Sequence, residues 1–223
     1  MSARRIVLWR HGQTDANFSG MVQGSSDTPL NRTGRAQAAA AARELAQIGA
    51  AALVASDLSR AWATAGALAD LTGLTPLADP RLRERGFGQW EGLTMEEVSR
   101  RWPEETARWA RGDDVPEVGM ETRAAAAERF DAAVTEAAQT VDDDGTVVVA
   151  SHGGVIVAGL TRLLGLDPSG WRGLRVMGNA HWAVIERTRV GAPAWRIASY
   201  DLGVSASDNG EPGGGPLSPS RLP

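Results

Sequence analysis

Short apolar runs of strand length alternate along this chain with alanine-rich stretches of helical spacing, and that alternation restricts the fold more than any other feature. Strands are expected at 6–9, 53–56, weakly at 75–77, and at 146–151, 182–187 and 195–199. Helices are expected at 30–49, stopping on Gly49, and at 59–71, stopping on Gly73. Another starts at Thr94, where Glu97 completes a capping box and Pro103 ends or kinks the helix, and another runs over 121–139. Strand and helix taking turns in this way predicts a three-layer α/β/α sandwich around a mostly parallel central sheet.

With 223 residues, 43% of them apolar and 22% charged, the chain reads as one domain over 1–202. Residues 203–223 are rich in glycine, proline and serine without apolar periodicity and are expected to be a disordered tail. No apolar run approaches the roughly 18 residues of a membrane span, and the run behind Arg4-Arg5 is too short for a signal-peptide core, so a cytoplasmic protein without membrane contact is expected. Cysteine is absent, which removes disulfides, thiolate nucleophiles and cysteine metal sites. All 23 basic residues are arginine, so no lysine serves as phosphate clamp, Schiff base or general base. A net charge of -4 argues against nucleic acid as a partner, and any anion site must be a local cluster.

Such a cluster is legible in the sequence. Arg10-His11-Gly12-Gln13-Thr14 comes directly off the first strand, placing a histidine beside a fixed cation at a strand end. His152 stands in the same setting, after Val147-Val148-Val149-Ala150-Ser151 and before Gly153-Gly154. If both strands are parallel and central, the two imidazoles emerge at one edge. The strand at 53–56 leads through Asp57-Leu58-Ser59 to Arg60 in the first turn of a helix, bringing a second guanidinium to that edge. Phosphate is the anion such a pocket suits. Expelling an alkoxide from a phosphomonoester needs a proton donor, and Glu84 and Glu91 are the carboxyl candidates; spacing alone does not choose between them. No grouping of carboxylates and histidines suggests a metal, and no cofactor is called for.

Four blocks in order resemble the histidine phosphatase, or phosphoglycerate mutase-like, superfamily. They are Arg10-His11-Gly12; Leu58-Ser59-Arg60-Ala61 with Thr64-Ala65; Leu82-Arg83-Glu84 with Gly88-Gln89-Trp90-Glu91-Gly92; and Ser151-His152-Gly153-Gly154. The resemblance implies that His11 is the nucleophile and becomes phosphohistidine. It implies that Arg10, Arg60 and His152 hold the transferring phosphoryl group, with Gly153 beside them, and that Glu84 is proton donor and then acceptor. Asn17, Gln23 and Gly24 match positions that line the phosphate and substrate pocket, and Glu91 becomes supporting.

The acid is followed by Arg85-Gly86-Phe87-Gly88-Gln89-Trp90-Glu91-Gly92, the phosphatase-like form, where mutases of the family carry a His-Tyr-Gly block and a lysine. The expectation is therefore a metal-independent phosphomonoester hydrolase acting on a small molecule of the phosphoglycerate type. The alternatives are a cofactor-dependent mutase and a non-catalytic phospholigand-binding protein on the same fold. His181 is read as structural, Trp90 as a core residue or a pocket wall, and the apolar C-terminal strands leave room for a homodimer that no motif demands.

Overall fold

The computed structural model describes residues 2–204. Its strands are β1 (Arg5–Arg10), β2 (Ala52–Ala55), β3 (Leu77–Ala78), β4 (Thr146–Ser151), β5 (Trp182–Arg187) and β6 (Trp195–Leu202). They form one sheet in the order β3-β2-β4-β1-β5-β6. The first four are mutually parallel, β5 is antiparallel to β1, and β6 is antiparallel to β5. The sheet is thus mixed, with β5 alone running against the rest.

Among the described residues seven helices accompany the sheet: α1 (Asp15–Ser19), α2 (Arg32–Ala46), α3 (Ser59–Thr72), α4 (Met95–Arg101), α5 (Pro103–Ala110), α6 (Arg123–Gln139) and α7 (Gly153–Leu163). Side chains alternate across a strand, and the two sheet faces accordingly feed two cores. Val7, Trp9, Leu53, Val148 and Ala150 pack with Ala41 and Leu45 of α2 and Leu68 of α3. Ile6, Leu8, Val147 and Val149 pack with Phe130 and Val134 of α6 and Ile156 and Leu160 of α7. The three-layer sandwich expected from the alternation is the observed architecture. A smaller core of Val22, Phe87, Trp90, Val98 and Trp109 holds α4 and α5 together with the loops around them.

Several boundaries follow from local chemistry. The Asn31 side chain accepts from the Gly34 N–H at 2.8 Å and starts α2. That helix stops at Ala46, before Gly49, because its last turn tightens: the Gln47 and Ile48 N–H groups bond to Glu44 and Leu45. Thr94 and Glu97 form the expected capping box of α4. Pro103 does more than end that helix, since it is the first residue of α5, where a missing N–H costs nothing. The helices α1, α5 and α7 were not expected from the sequence, β3 is shifted to Leu77–Ala78, and β6 extends to Leu202. From residue 205 on, the expected tail lies outside the described residues.

Among the described residues no helix is long and apolar enough to cross a membrane.

Candidate active site

Parallel pairing of β1 with β4 puts Arg10 opposite Ser151, so the next residues, His11 and His152, leave the sheet side by side. Their ring centroids lie 5.1 Å apart at an interplanar angle of 60°. Both are buried, at 3% and 0% exposure. Two glycines stand where this edge is crowded. A Cβ on Gly12 would sit 2.2 Å from the Gly34 carbonyl oxygen of α2, and one on Gly153 would lie 2.5 Å from Val176 Cγ1 and 3.1 Å from Arg10 Nε.

His11 is fixed from several directions. Its Nδ1 is 2.7 Å from the Gly12 carbonyl oxygen, so Nδ1 carries the proton and Nε2 presents a lone pair. Its own carbonyl accepts from the Ala180 N–H at 3.0 Å and from Asn179 Nδ2 at 3.2 Å. Burial, then Arg60 and Arg10, hold the imidazole well below the ordinary histidine value, outweighing the opposing bond to Gly12. It is therefore neutral at pH 7.

The two flanking arginines differ in how they are held. Arg10 donates to the Met177 carbonyl, and its Nε is buried with no hydrogen-bond partner. An unpartnered guanidinium N–H in a buried site is a donor ready for an incoming acceptor. Arg60, fully buried in the first turn of α3, donates through Nη1 to Ser26 O and through Nη2 to Gly24 O, each at 2.7 Å. Three of its five N–H groups are used, and burial pushes it down to about 10. Neither arginine has an ion-pair partner among the described residues, and both line a cavity of about 420 Å³ that also touches His11, Asn17, Gln23 and Glu84. That size falls within the range of roughly 300–1,000 Å³ typical of small-molecule sites and exceeds what a phosphoryl group needs.

His152, expected from the resemblance to help hold the phosphoryl group, is bonded to protein side chains at both ring nitrogens. Its Nδ1 accepts from Arg60 Nε at 3.1 Å, and its Nε2 lies 2.8 Å from Ser56 Oγ. Both ring nitrogens are thus engaged, and the imidazole orients the Arg60 guanidinium. It is the residue that caps α7, one step beyond the end of β4, and the neighbouring β2 brings Ser56 alongside. Burial and the neighbouring Arg60 keep it neutral as well.

Glu84 reaches the cavity from the loop after the short 3-10 turn Pro80–Leu82. Its Oε1 accepts from the Arg85 and Val155 N–H groups at 2.8 Å each, and its Oε2 accepts from the Gly154 N–H at 2.9 Å. The carboxylate thus crosses the N-terminus of α7, where free N–H groups attract an anion. Oε2, with one partner, keeps the greater capacity toward the cavity.

Glu91, which spacing leaves open, lies elsewhere. Its Oε1 accepts from Phe87 N at 2.9 Å and Ser25 N at 3.0 Å, and its Oε2 accepts from Ser26 N at 3.1 Å and Ser26 Oγ at 2.8 Å. Burial would raise its carboxyl, but these donors outweigh it and leave it lowered. Glu91 braces the loop whose Gly24 and Ser26 carbonyls hold Arg60.

Asn17 and Gln23 line the cavity as well. Asn17 Oδ1 completes the α1 capping box and accepts from Asn179 Nδ2 at 3.1 Å, while Gln23 Oε1 accepts from Thr14 Oγ1 at 2.9 Å. Both amide nitrogens are thereby left as donors. His181 and Trp90 stand off the cavity: His181 Nδ1 pairs with Asp201 Oδ1 at 2.8 Å, and Trp90 is enclosed in the small core. Ser56 and Asn179 carried no expected role. The position of Ser56 at the end of β2, just ahead of Arg60, was the available signal. Among the described residues, no three His, Cys, Asp or Glu side chains are grouped as a metal site would require.

This geometry has counterparts among known proteins. The family described as "Histidine phosphatase superfamily (branch 1)" matches residues 6–200. Glucosyl-3-phosphoglycerate phosphatase of Mycobacterium tuberculosis (strain CDC 1551 / Oshkosh) is 40% identical over 190 residues, covering 82% of this chain and 85% of that protein. A protein of Yersinia enterocolitica named probable phosphoglycerate mutase GpmB is 34% identical over 175 residues, covering 77% of this chain and 80% of its own. A solved mycobacterial glucosyl-3-phosphoglycerate phosphatase, complexed with VO3, superposes with a TM-score of 0.80 at 37% identity, over 89% of this chain and 99% of that one.

Proposed function

The chain belongs to the histidine phosphatase superfamily, and on that premise we propose that it hydrolyses phosphomonoesters of the phosphoglycerate type through a phosphohistidine on His11. One observation carries the reading: a neutral imidazole, its Nδ1–H tied to Gly12 O, stands at the cavity between two guanidiniums that have no carboxylate partner among the described residues.

In the first half-reaction His11 Nε2 attacks phosphorus and the ester oxygen departs. Arg10 and Arg60 neutralise the equatorial oxygens, and Glu84 delivers a proton to the leaving alkoxide. In the second, Glu84 takes a proton from water as that water attacks the phosphohistidine, releasing inorganic phosphate and neutral His11. Positioning and electrostatic stabilisation carry most of phosphoryl transfer, and the two arginines supply the positive charge. Asn17 and Gln23 offer amide N–H groups to the phosphoryl oxygens, Gly153 makes room for Arg10, and His152 keeps Arg60 in register. Charge and protons balance in both steps through these side chains alone.

The M. tuberculosis relative supports glucosyl-3-phosphoglycerate as the leading substrate. A small-molecule phosphoester is the partner this reading requires; nucleic acid has no part in it, and the cytoplasm is the compartment we assign. The experiment is a panel of glucosyl-3-phosphoglycerate, mannosyl-3-phosphoglycerate, 3-phosphoglycerate and an aryl phosphate, ranked by kcat/KM with chelator present. Phosphate release with the glucosyl compound preferred is expected. A different ranking removes the substrate and leaves the chemistry. Isomerised phosphoglycerate stimulated by 2,3-bisphosphoglycerate, in place of phosphate release, would make the protein a mutase, as the name of the Yersinia relative suggests.

A further inference from the structure

Seven arginines line the cavity, and their partners divide them. Arg85 pairs with Asp114, Arg111 with Asp113 and Arg175 with Asp201. Arg10 and Arg60 flank His11. That leaves Arg123 and Arg172, which have no carboxylate partner among the described residues and converge on a single acceptor, the carbonyl of Gly112. Arg123 is the first residue of α6, and Arg172 belongs to the loop after α7, so two distant segments bring their guanidiniums together. Arg172 makes its other bonds to the carbonyls of its own loop, including Ser169 O at 2.6 Å and Trp171 O at 2.9 Å.

Gly112 makes the convergence possible. Its φ is +98°, a conformation that glycine tolerates and other residues avoid. A Cβ there would lie 2.7 Å from Arg172 Nε. Burial first, and then the charges of Arg172 and Arg85, push Arg123 down to about 10, outweighing the opposing pull of the Asp114 and Asp113 carboxylates nearby. Like charges held together around one carbonyl are unfavourable unless an anion joins them. The same cavity that this pair shares with His11 is also lined by Val157, Ala158, Leu174 and the Trp109 and Trp171 rings.

We propose that Arg123 and Arg172 form a second anion subsite that binds a carboxylate of the substrate, so that the enzyme selects phosphomonoesters carrying a carboxylate on the same carbon skeleton. The inference rests on the phosphatase reading above and names the residues that would recognise the substrate's acid group. It also assigns a task to the loop after α5, in which Gly112 lies. The guanidinium fork suits bidentate contact with a carboxylate, and charge-assisted bonds of this kind distinguish an acid from an alcohol.

The test compares 3-phosphoglycerate with glycerol 3-phosphate, which share a three-carbon skeleton and a phosphomonoester and differ in carboxylate against hydroxymethyl. In the wild type, kcat/KM is expected to favour the carboxylate by roughly tenfold or more. In Arg172→Gln and in Arg123→Gln that ratio is expected to fall toward one, chiefly through KM. Arg172 is exposed, so its variant keeps the fold even if the α6 variant does not. A wild type with no preference, or variants that slow both substrates by the same factor, would overturn the subsite and leave the two arginines as a clamp on Gly112. Kd values of the same two compounds for His11→Ala test the subsite without turnover. Absence of phosphate release from both compounds and from an aryl phosphate, with the Kd preference intact, would instead remove the phosphatase reading alone.

Discussion

Arg60 is where the site's chemistry is most visibly distributed. Its guanidinium is oriented by His152, Gly24 and Ser26, while Ser56 steadies His152 and Glu91 steadies the Ser25-Ser26 loop. Groups that only position a charge should matter less than those that transfer a proton. Glu84→Gln is expected to lower kcat by about 10²–10⁴-fold, the usual weight of a general acid. Glu91→Gln keeps the shape but weakens the N–H and O–H bonds that fix the loop, so it should raise KM more than it lowers kcat. Steady-state kinetics on one phosphoester checks both; an equal loss in the two variants would contradict the division of labour. At this scale the ordered blocks were informative about place: His11, Arg10, Arg60 and Glu84, which come from three of them, line one cavity. His152 shows the limit. A strand-end histidine announces its location, but the direction of its nitrogens depends on Ser56 and Arg60, which arrive from β2 and α3.

Elements are positioned by two packed faces and a few glycines. Helices α6 and α7 lie so close that a Cβ on Gly159 would sit 2.0 Å from Phe130 Cδ1. Gly159→Ala is therefore expected to destabilise the fold by about 1–3 kcal/mol through overpacking. Chemical denaturation measures this, and unchanged stability would mean that the two helices yield to each other easily. Two features hidden in the sequence have local causes. The opening Gly153-Gly154 of α7 hides a helix from propensity, yet those small residues are what let Arg10 and Glu84 approach its N-terminus. Similarly, Pro103 reads as the end of one helix, whereas in space it begins the next. Strand alternation was legible because apolar runs are continuous; the reversal of β5 was not, since direction is set by the connection between strands.

At the scale of the whole molecule, the fold keeps two histidines uncharged in its interior. An unfolded chain binds protons at these imidazoles below about 6.5, while the native state, with both lowered well below that value, does not. Their contribution to stability is complete above pH 6.5 and is lost as pH falls below it, by about 1.4 kcal/mol per pH unit for each histidine. Urea denaturation at pH 7 and pH 5.5 should show this loss, and His11→Ala should reduce it by roughly half. Stability that is flat across the interval would contradict buried, neutral imidazoles. The same lowering would keep His11, the proposed nucleophile, competent in mild acid, so the acid limb of kcat/KM should fall below the ordinary histidine range once ionisation of the substrate phosphate is accounted for.

The claim on which everything else depends is that His11 carries the phosphoryl group. Rapid acid-free quenching during turnover of a radiolabelled phosphoester, followed by peptide mapping, tests it directly. The account predicts alkali-stable, acid-labile label on the peptide containing His11, appearing before steady-state phosphate release and absent from His11→Ala, which should be inactive. Label on another residue, or a His11→Ala variant that still hydrolyses the ester, would contradict it.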